Sequence, residues 1–232
     1  MPGRENGPEA LNWTPARAPR LAVLAGSTVR LEPVDPEAQA QALFTAARDS
    51  RDPALWDYMS VGPFSDESDF RSWLKTTAAS RDPLAFAVID QTTGQPEGMA
   101  CYSRITPTHG VIEIGGIWFG PTLQRTRQAT EAIYLLARHV FEDLGFRRLE
   151  WKCDARNERS RRAAERFGFR YEGVFAQHMV IKGRNRDTAW FAMLDRDWPA
   201  IGAAFRAWLH PENFDSAGSQ RQSLATLREV GR

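Results

Sequence analysis

One long amphipathic helix set between two strand-like runs constrains this chain more than any other feature. From Ala129 the apolar residues Ile133, Leu136, Ala137, Val140 and Leu144 fall on one stripe, and Gly145 ends the pattern. Val111 to Phe119 precedes it as a strand, and Arg148 to Cys153 follows as another. A strand, a helix and a second strand in this order predict a parallel crossover, since the helix returns the chain to the same end of a sheet.

The other elements are shorter. Thr28 to Glu32 alternates like a half-buried strand, and Pro36 opens a helix to about Ala47 with Ala40, Leu43, Phe44 and Ala47 on one face. Ser65 or Asp66 caps a second helix carrying Phe70, Trp73, Leu74 and Thr77. Leu84 to Ile89, Gly98 to Ile105 and Val111 to Phe119 read as an antiparallel meander, with turn signals at Thr93-Gly94 and from Pro107 to Gly110. After the crossover, Asn157 caps a short helix ending at Phe167-Gly168, and Tyr171 to Ile181 pairs with Thr188 to Leu194 as a hairpin. A last helix runs from Asp197 to Trp208. The order predicts a mixed α/β domain with a mostly antiparallel sheet and one parallel step. Residues 26–210 form the expected domain, between a flexible N-terminal extension, 1–25, and a loosely ordered tail, 211–232.

Composition narrows the class. Hydrophobic residues make up 42% and charged residues 25%, close to a globular average, so a packed core is expected. Thirty Lys plus Arg against 29 Asp plus Glu give a formal +1, which argues against a general nucleic-acid or membrane binder. There is no apolar run of membrane-spanning length, and the first residues lack a signal-peptide pattern, which makes a cytoplasmic location the expectation. Cys101 and Cys153 stand far apart and read as buried free thiols, and the four His show no metal spacing, so no metal is expected.

Chemistry concentrates at the junction Trp118-Phe119-Gly120 to Gln124-Arg125-Thr126-Arg127-Gln128-Ala129-Thr130, where a strand gives way through a short loop to the long helix. The unpaired N–H groups at such a helix start suit a phosphate, although an ordinary crossover with a basic loop has the same outline. Downstream, Asn157-Glu158-Arg159-Ser160 leads into Phe167-Gly168-Phe169. From Arg147 to Arg170, nine basic residues stand against four acidic ones, a local excess of +5 that suits an ADP 3′-phosphate or simply a solvated face.

Over roughly residues 28 to 195 the chain resembles the GNAT N-acetyltransferases, in particular the group acting on the N-termini of ribosomal proteins. The family's pyrophosphate loop reads Q/R-x-x-G-x-G/A and is followed in this group by Thr-Glu-Ala. Here Gln124 to Ala129 and then Thr130-Glu131-Ala132 stand in register, with Arg127 where the family usually has Gly. Glycine lets a backbone approach the pyrophosphate closely; an Arg serves there if its side chain turns away or meets a phosphate itself. The resemblance implies an acyl-CoA N-acyltransferase fold, a central twisted sheet with a parallel splay flanked by helices, and acetyl-CoA as cosubstrate. It implies CoA contacts from Trp118, Phe119, the loop from Gln124 to Thr130, Asn157 and Ser160, and, from the basic excess, Arg162.

Acetylating a primary amine needs a neutral nucleophile, a polarised thioester and a proton for the leaving thiolate. Glu113, in Val111-Ile112-Glu113-Ile114-Gly115-Gly116-Ile117-Trp118, is the general-base candidate, and the Gly pair suggests a bulge in that strand. A strand Glu paired with an Arg is the structural alternative. Ala164 stands where many relatives carry a Tyr proton donor, leaving Ser160 as the hydroxyl candidate. Trp56, Asp57, Tyr58 and Met59 lie in an aromatic-rich stretch where the family's first helices overhang the acceptor, and they fit a core equally well. These aromatics are also compatible with a homodimer. A CoA-binding regulatory module with little turnover is the competing reading.

Overall fold

A computed structural model describes residues 12–48, 51–52 and 54–230. Eight strands form one sheet: β1 (Leu24–Ala25), β2 (Val29–Pro33), β3 (Leu84–Asp90), β4 (Pro96–Thr106), β5 (Val111–Phe119), β6 (Arg148–Asp154), β7 (Arg170–Ile181) and β8 (Arg184–Leu194). Their spatial order is β1-β2-β3-β4-β5-β6-β8-β7, and among the described residues the only parallel neighbours are β5 and β6. That is the mixed sheet expected, with its parallel step at the crossover.

Helices cover the two faces unequally. On one side α1 (Pro36–Ala47) and α2 (Glu67–Ala78) seal a core of Leu43, Phe70, Leu74, Met99 and Trp118 over β3, β4 and β5. Asp35 and Asp66 start these helices by accepting N–H bonds from their first turns, so both caps follow from residue type. On the other side α3 (Arg127–Arg138), α4 (Glu158–Phe167) and α5 (Trp198–Leu209) pack over a larger core including Tyr102, Ile133, Leu136, Phe191 and Phe205. Among the described residues α1 packs on β4 and α2 on β3, so the first face lacks comparable helix cover over β6, β8 and β7.

The boundaries differ from the sequence reading in physically instructive ways. Helix α3 starts two residues before Ala129, because Thr126 caps it through a bond from Ala129 N–H to Oγ1; polar Arg127 and Gln128 extend no apolar stripe. Past Arg138 it widens into a π-helical turn, His139–Asp143. Strand β8 begins at Arg184 rather than Thr188, its first residues pairing with β7 in a two-residue turn at Lys182 and Gly183. Strand β1 and the last helix, α6 (Leu224–Val230), are too short to leave a periodic signal.

Both ends of the described chain carry specific contacts. Trp13 donates to the Thr108 carbonyl at 3.0 Å, and Ala16 and Arg17 donate backbone bonds to Pro107 and Leu144. At the other end Trp208 donates to Gln220 at 2.7 Å, and Arg228 of α6 donates to the Glu165 carbonyl of α4 at 2.9 Å. No described helix is long and apolar enough to cross a membrane.

Candidate active site

Strands β5 and β6 pair only at Val111–Arg148, Ile112–Leu149 and Glu113–Glu150. Beyond that point they carry no mutual register among the described residues, so the sheet opens into a wedge with Glu113 and Glu150 at its apex. One extra residue in β5 reinforces the opening. Met99 pairs with Trp118 but Cys101 with Gly115, which makes a bulge at Gly116 and Ile117. Gly116 has a left-handed φ of 57°, and a Cβ there would sit 3.0 Å from the Cys101 sulfur, so the second glycine of the pair suits both the conformation and the space.

The wedge opens toward the loop between β5 and α3. Leu123 is buried and anchors that loop, while Arg125 takes a left-handed φ of 62°. With Thr126 capping the helix, the backbone N–H groups of Arg125, Arg127 and Gln128 have no partner among the described residues. They form a cluster of donors at the positive end of a helix, the arrangement an anion needs. The Arg127 side chain does not join them. Its guanidinium donates to the Leu209 carbonyl at the end of α5 and lies 5.0 Å from the Phe214 ring centroid. The side chain holds the C-terminal segment against α3, which is the turned-away alternative for an Arg at this position.

Opposite the loop, Asn157 Oδ1 accepts from the Ser160 N–H at 3.0 Å, so Asn157 is the helix cap that its type suggests. Ser160 Oγ accepts from Trp151 Nε1 at 3.0 Å, which places the hydroxyl beside β6 within the wedge. Burial pushes the neighbouring Cys153 thiol up, opposed by its hydrogen bond to Ser160, and keeps that sulfur protonated. Burial also pushes the Cys101 thiol up to about 12. Arg162 is exposed and pairs with Glu158 one turn earlier, the solvated-face alternative for the basic run. The basic residue that does cross the wedge is Arg159. It binds both oxygens of Asp52, at 3.1 and 3.0 Å, and Gln124 Oε1 at 2.9 Å, while Gln124 donates to Asp52 at 2.7 Å. Burial pushes the Asp52 carboxyl up, but the Arg159 and Gln124 bonds outweigh it and hold it below its ordinary value. Asp52 carried no sequence signal, because its partners lie 72 and 107 residues away.

Glu113 is buried, and its Oε2 lies 2.5 Å from Lys152 Nζ and 3.9 Å from Arg104 Nε. The partner is thus chiefly a lysine on the neighbouring parallel strand. Burial raises the Glu113 carboxyl above its ordinary range, with Lys152 acting against it. Lys152 in turn rests on the Trp190 ring, 4.6 Å from its centroid, and Phe175 and His178 extend that aromatic floor. Glu150 is held by Arg148 at 2.8 Å.

The aromatic stretch between α1 and α2 divides. Trp56 is buried edge-on to Phe64 and Trp73 and tilted against Trp118, so Trp56 and the Trp118 side chain are core. Met59 packs partly against the same core, and Phe119 against the other. Asp57 and Tyr58 are exposed, and Tyr58 donates to the Arg156 carbonyl at 3.4 Å beside the end of β6. The β7–β8 hairpin closes this corner through Lys182, which donates to the Trp56 carbonyl at 2.9 Å. Thr130 is buried and engaged by Arg166. Glu131 of the Thr-Glu-Ala segment accepts five bonds from Ser27, Thr28 and Val29, a structural clasp. No group of three or more His, Cys, Asp or Glu suited to a metal occurs among the described residues.

A sheet parted between two parallel strands, with a donor-rich helix start at one end of the gap and a buried carboxylate at the other, marks the class of N-acetyltransferases that draw on acetyl-CoA. Residues 28–170 match the acetyltransferase (GNAT) domain, and the chain belongs to that family. A GCN5-related N-acetyltransferase from Brucella melitensis superposes with a TM-score of 0.92 at 48% identity, covering 94% of this chain and 99% of that one. YdaF of Bacillus subtilis, provisionally named a ribosomal N-acetyltransferase, is 26% identical over 74% of this chain and 92% of its own length. RimL, a ribosomal L7/L12 α-N-protein acetyltransferase solved with coenzyme A, shares the fold at a TM-score of 0.62 and 17% identity, covering 75% of this chain and 99% of that one.

Proposed function

We propose that this enzyme moves the acetyl group of acetyl-CoA to a primary amine by direct attack of the amine on the thioester. The observation that carries the reading is the parting of β5 from β6 at Glu113 and Glu150, with unpartnered N–H groups at the loop end of the gap. The N–H groups of Arg125, Arg127 and Gln128 take the pyrophosphate, and Asn157 and Ser160 flank the pantetheine arm. The amine arrives from the uncovered face of β6 and β8, near Tyr58 and Asp57. Glu113, its proton affinity raised by burial, accepts the proton that the attacking ammonium must lose. The C–S bond breaks as the amide forms, and the Ser160 hydroxyl stabilises the departing thiolate. Similarity to YdaF supports a protein N-terminus as the acceptor over a small molecule.

The test is thiol release from acetyl-CoA in the presence of N-terminal peptides and small amines, with the product identified by mass spectrometry. Amine-dependent thiol and an acetylated α-amine are expected. Saturable CoA binding with no amine-dependent thiol would instead identify a regulatory CoA-binding module.

A further inference from the structure

We infer that Lys152 is a positioning residue for the reaction: its ammonium keeps the Glu113 carboxylate ionised and oriented at the apex of the wedge. The inference rests on the reading of Glu113 as the base. Lys152 Nζ and Glu113 Oε2 are 2.5 Å apart, and each side chain is only 10% exposed, so water does little to screen them. The groups facing Glu113 leave few other sources of positive charge. From β4 comes Arg104, 3.9 Å away but 58% exposed. From β6 come Lys152 and Glu150, and Glu150 is a second negative charge already held by Arg148, which also binds Glu172 of β7. From β8 comes Trp190, which carries no charge but seats the Lys152 ammonium on its ring, beside His178 of β7.

Burial and the neighbouring Glu150 carboxylate both favour the protonated form of Glu113, and a protonated carboxyl is no base. Lys152 opposes both effects. Stability alone does not account for the pair, because an apolar pair of similar volume would fill the same space without desolvating two charges.

The experiment is the pH profile of kcat/KM for the wild type, Lys152→Gln, Lys152→Arg and Glu113→Gln, alongside calorimetric acetyl-CoA affinity. Glu113→Gln should abolish the acid limb that reports the base. Lys152→Gln should move that limb to higher pH by about one unit or more, while the plateau at high pH approaches the wild type. Lys152→Arg should return the limb toward its native position, and CoA affinity should change little in either. Should Lys152→Gln fail to fold, Lys152→Met keeps the stem on Trp190 and tests the same limb. An unmoved limb with activity lowered equally at every pH would overturn the role of Lys152. A limb that survives Glu113→Gln would instead overturn the base reading itself, so the two failures are distinguishable.

Discussion

Thr28 presents both its backbone N–H and its hydroxyl to one carboxylate oxygen of Glu131, each at 2.6 Å. Ser27 does the same to the other oxygen at 2.8 and 2.7 Å, and Val29 N–H adds a fifth bond at 3.0 Å. One side chain of α3 thus satisfies the turn that leads into β2. Burial pushes the Glu131 carboxyl up, but the Thr28 and Ser27 bonds outweigh it and hold it below its ordinary 4.5. A depressed folded value stabilises above 4.5, and that contribution disappears as the pH falls through the folded value. Glu131→Gln places an amide N–H₂ against groups that only donate here, and should cost about 2–3 kcal/mol at neutral pH. Thermal melts should show the gap between variant and wild type shrinking below pH 4. A gap that does not depend on pH would mean that shape, rather than charge, is what the turn requires.

Arg127 replaces the family's glycine, and its guanidinium reaches Leu209 and Phe214 rather than the loop in front of it. Arg127→Gly should therefore keep acetyl-CoA affinity within a few-fold, since the N–H donors belong to the backbone. It should lose about 1–2 kcal/mol of stability with the cation–π contact and the carbonyl bond. The segment after Leu209 should become more sensitive to limited proteolysis. A large loss of CoA affinity with an unchanged proteolytic pattern would return the side chain to the phosphate.

Much of this architecture was legible because it is local. The stripe from Ile133 to Leu144, the cap at Asn157 and the β5 bulge signalled by the Gly pair are each written within a few neighbouring residues, and all three appear in the fold. The partnerships of the site are not local. Lys152 meets Glu113 because β5 and β6 run parallel for three residue pairs, and Asp52 meets Arg159 from a loop 107 residues away. The sequence offered an Arg as the structural partner for Glu113, and the fold supplies chiefly a lysine. Trp56 and Tyr58 are two positions apart with the same aromatic character, yet one is core and the other exposed. Only the direction of the loop separates them. The Arg127 side chain is a similar case, since its partners are the last carbonyl of α5 and Phe214, more than 80 residues away.

Ser160 combines two roles that a single substitution can separate. Its N–H is held by Asn157, while its Oγ accepts from Trp151 Nε1 at 3.0 Å, leaving the hydroxyl proton free to turn toward sulfur. The sulfur it meets in the protein is that of Cys153, which burial keeps as a thiol. A leaving thiolate is a far stronger acceptor, so the hydroxyl's contribution should grow as the C–S bond breaks. Ser160→Ala leaves the Trp151 N–H unpaired and should cost about 1 kcal/mol of stability. The rate per folded molecule should fall by roughly ten- to a hundredfold, equivalent to about 1.4–2.7 kcal/mol in the transition state, with a nearly constant KM for acetyl-CoA. Ala164, the position of the Tyr donor in many relatives, is fully buried on the inner face of α4, so a tyrosine there would overpack the core rather than replace the hydroxyl. Ser160→Thr, which keeps the hydroxyl, should recover part of the rate. If Ser160→Ala lowers only the melting temperature and leaves turnover unchanged, the hydroxyl serves Trp151 alone and water protonates the thiolate.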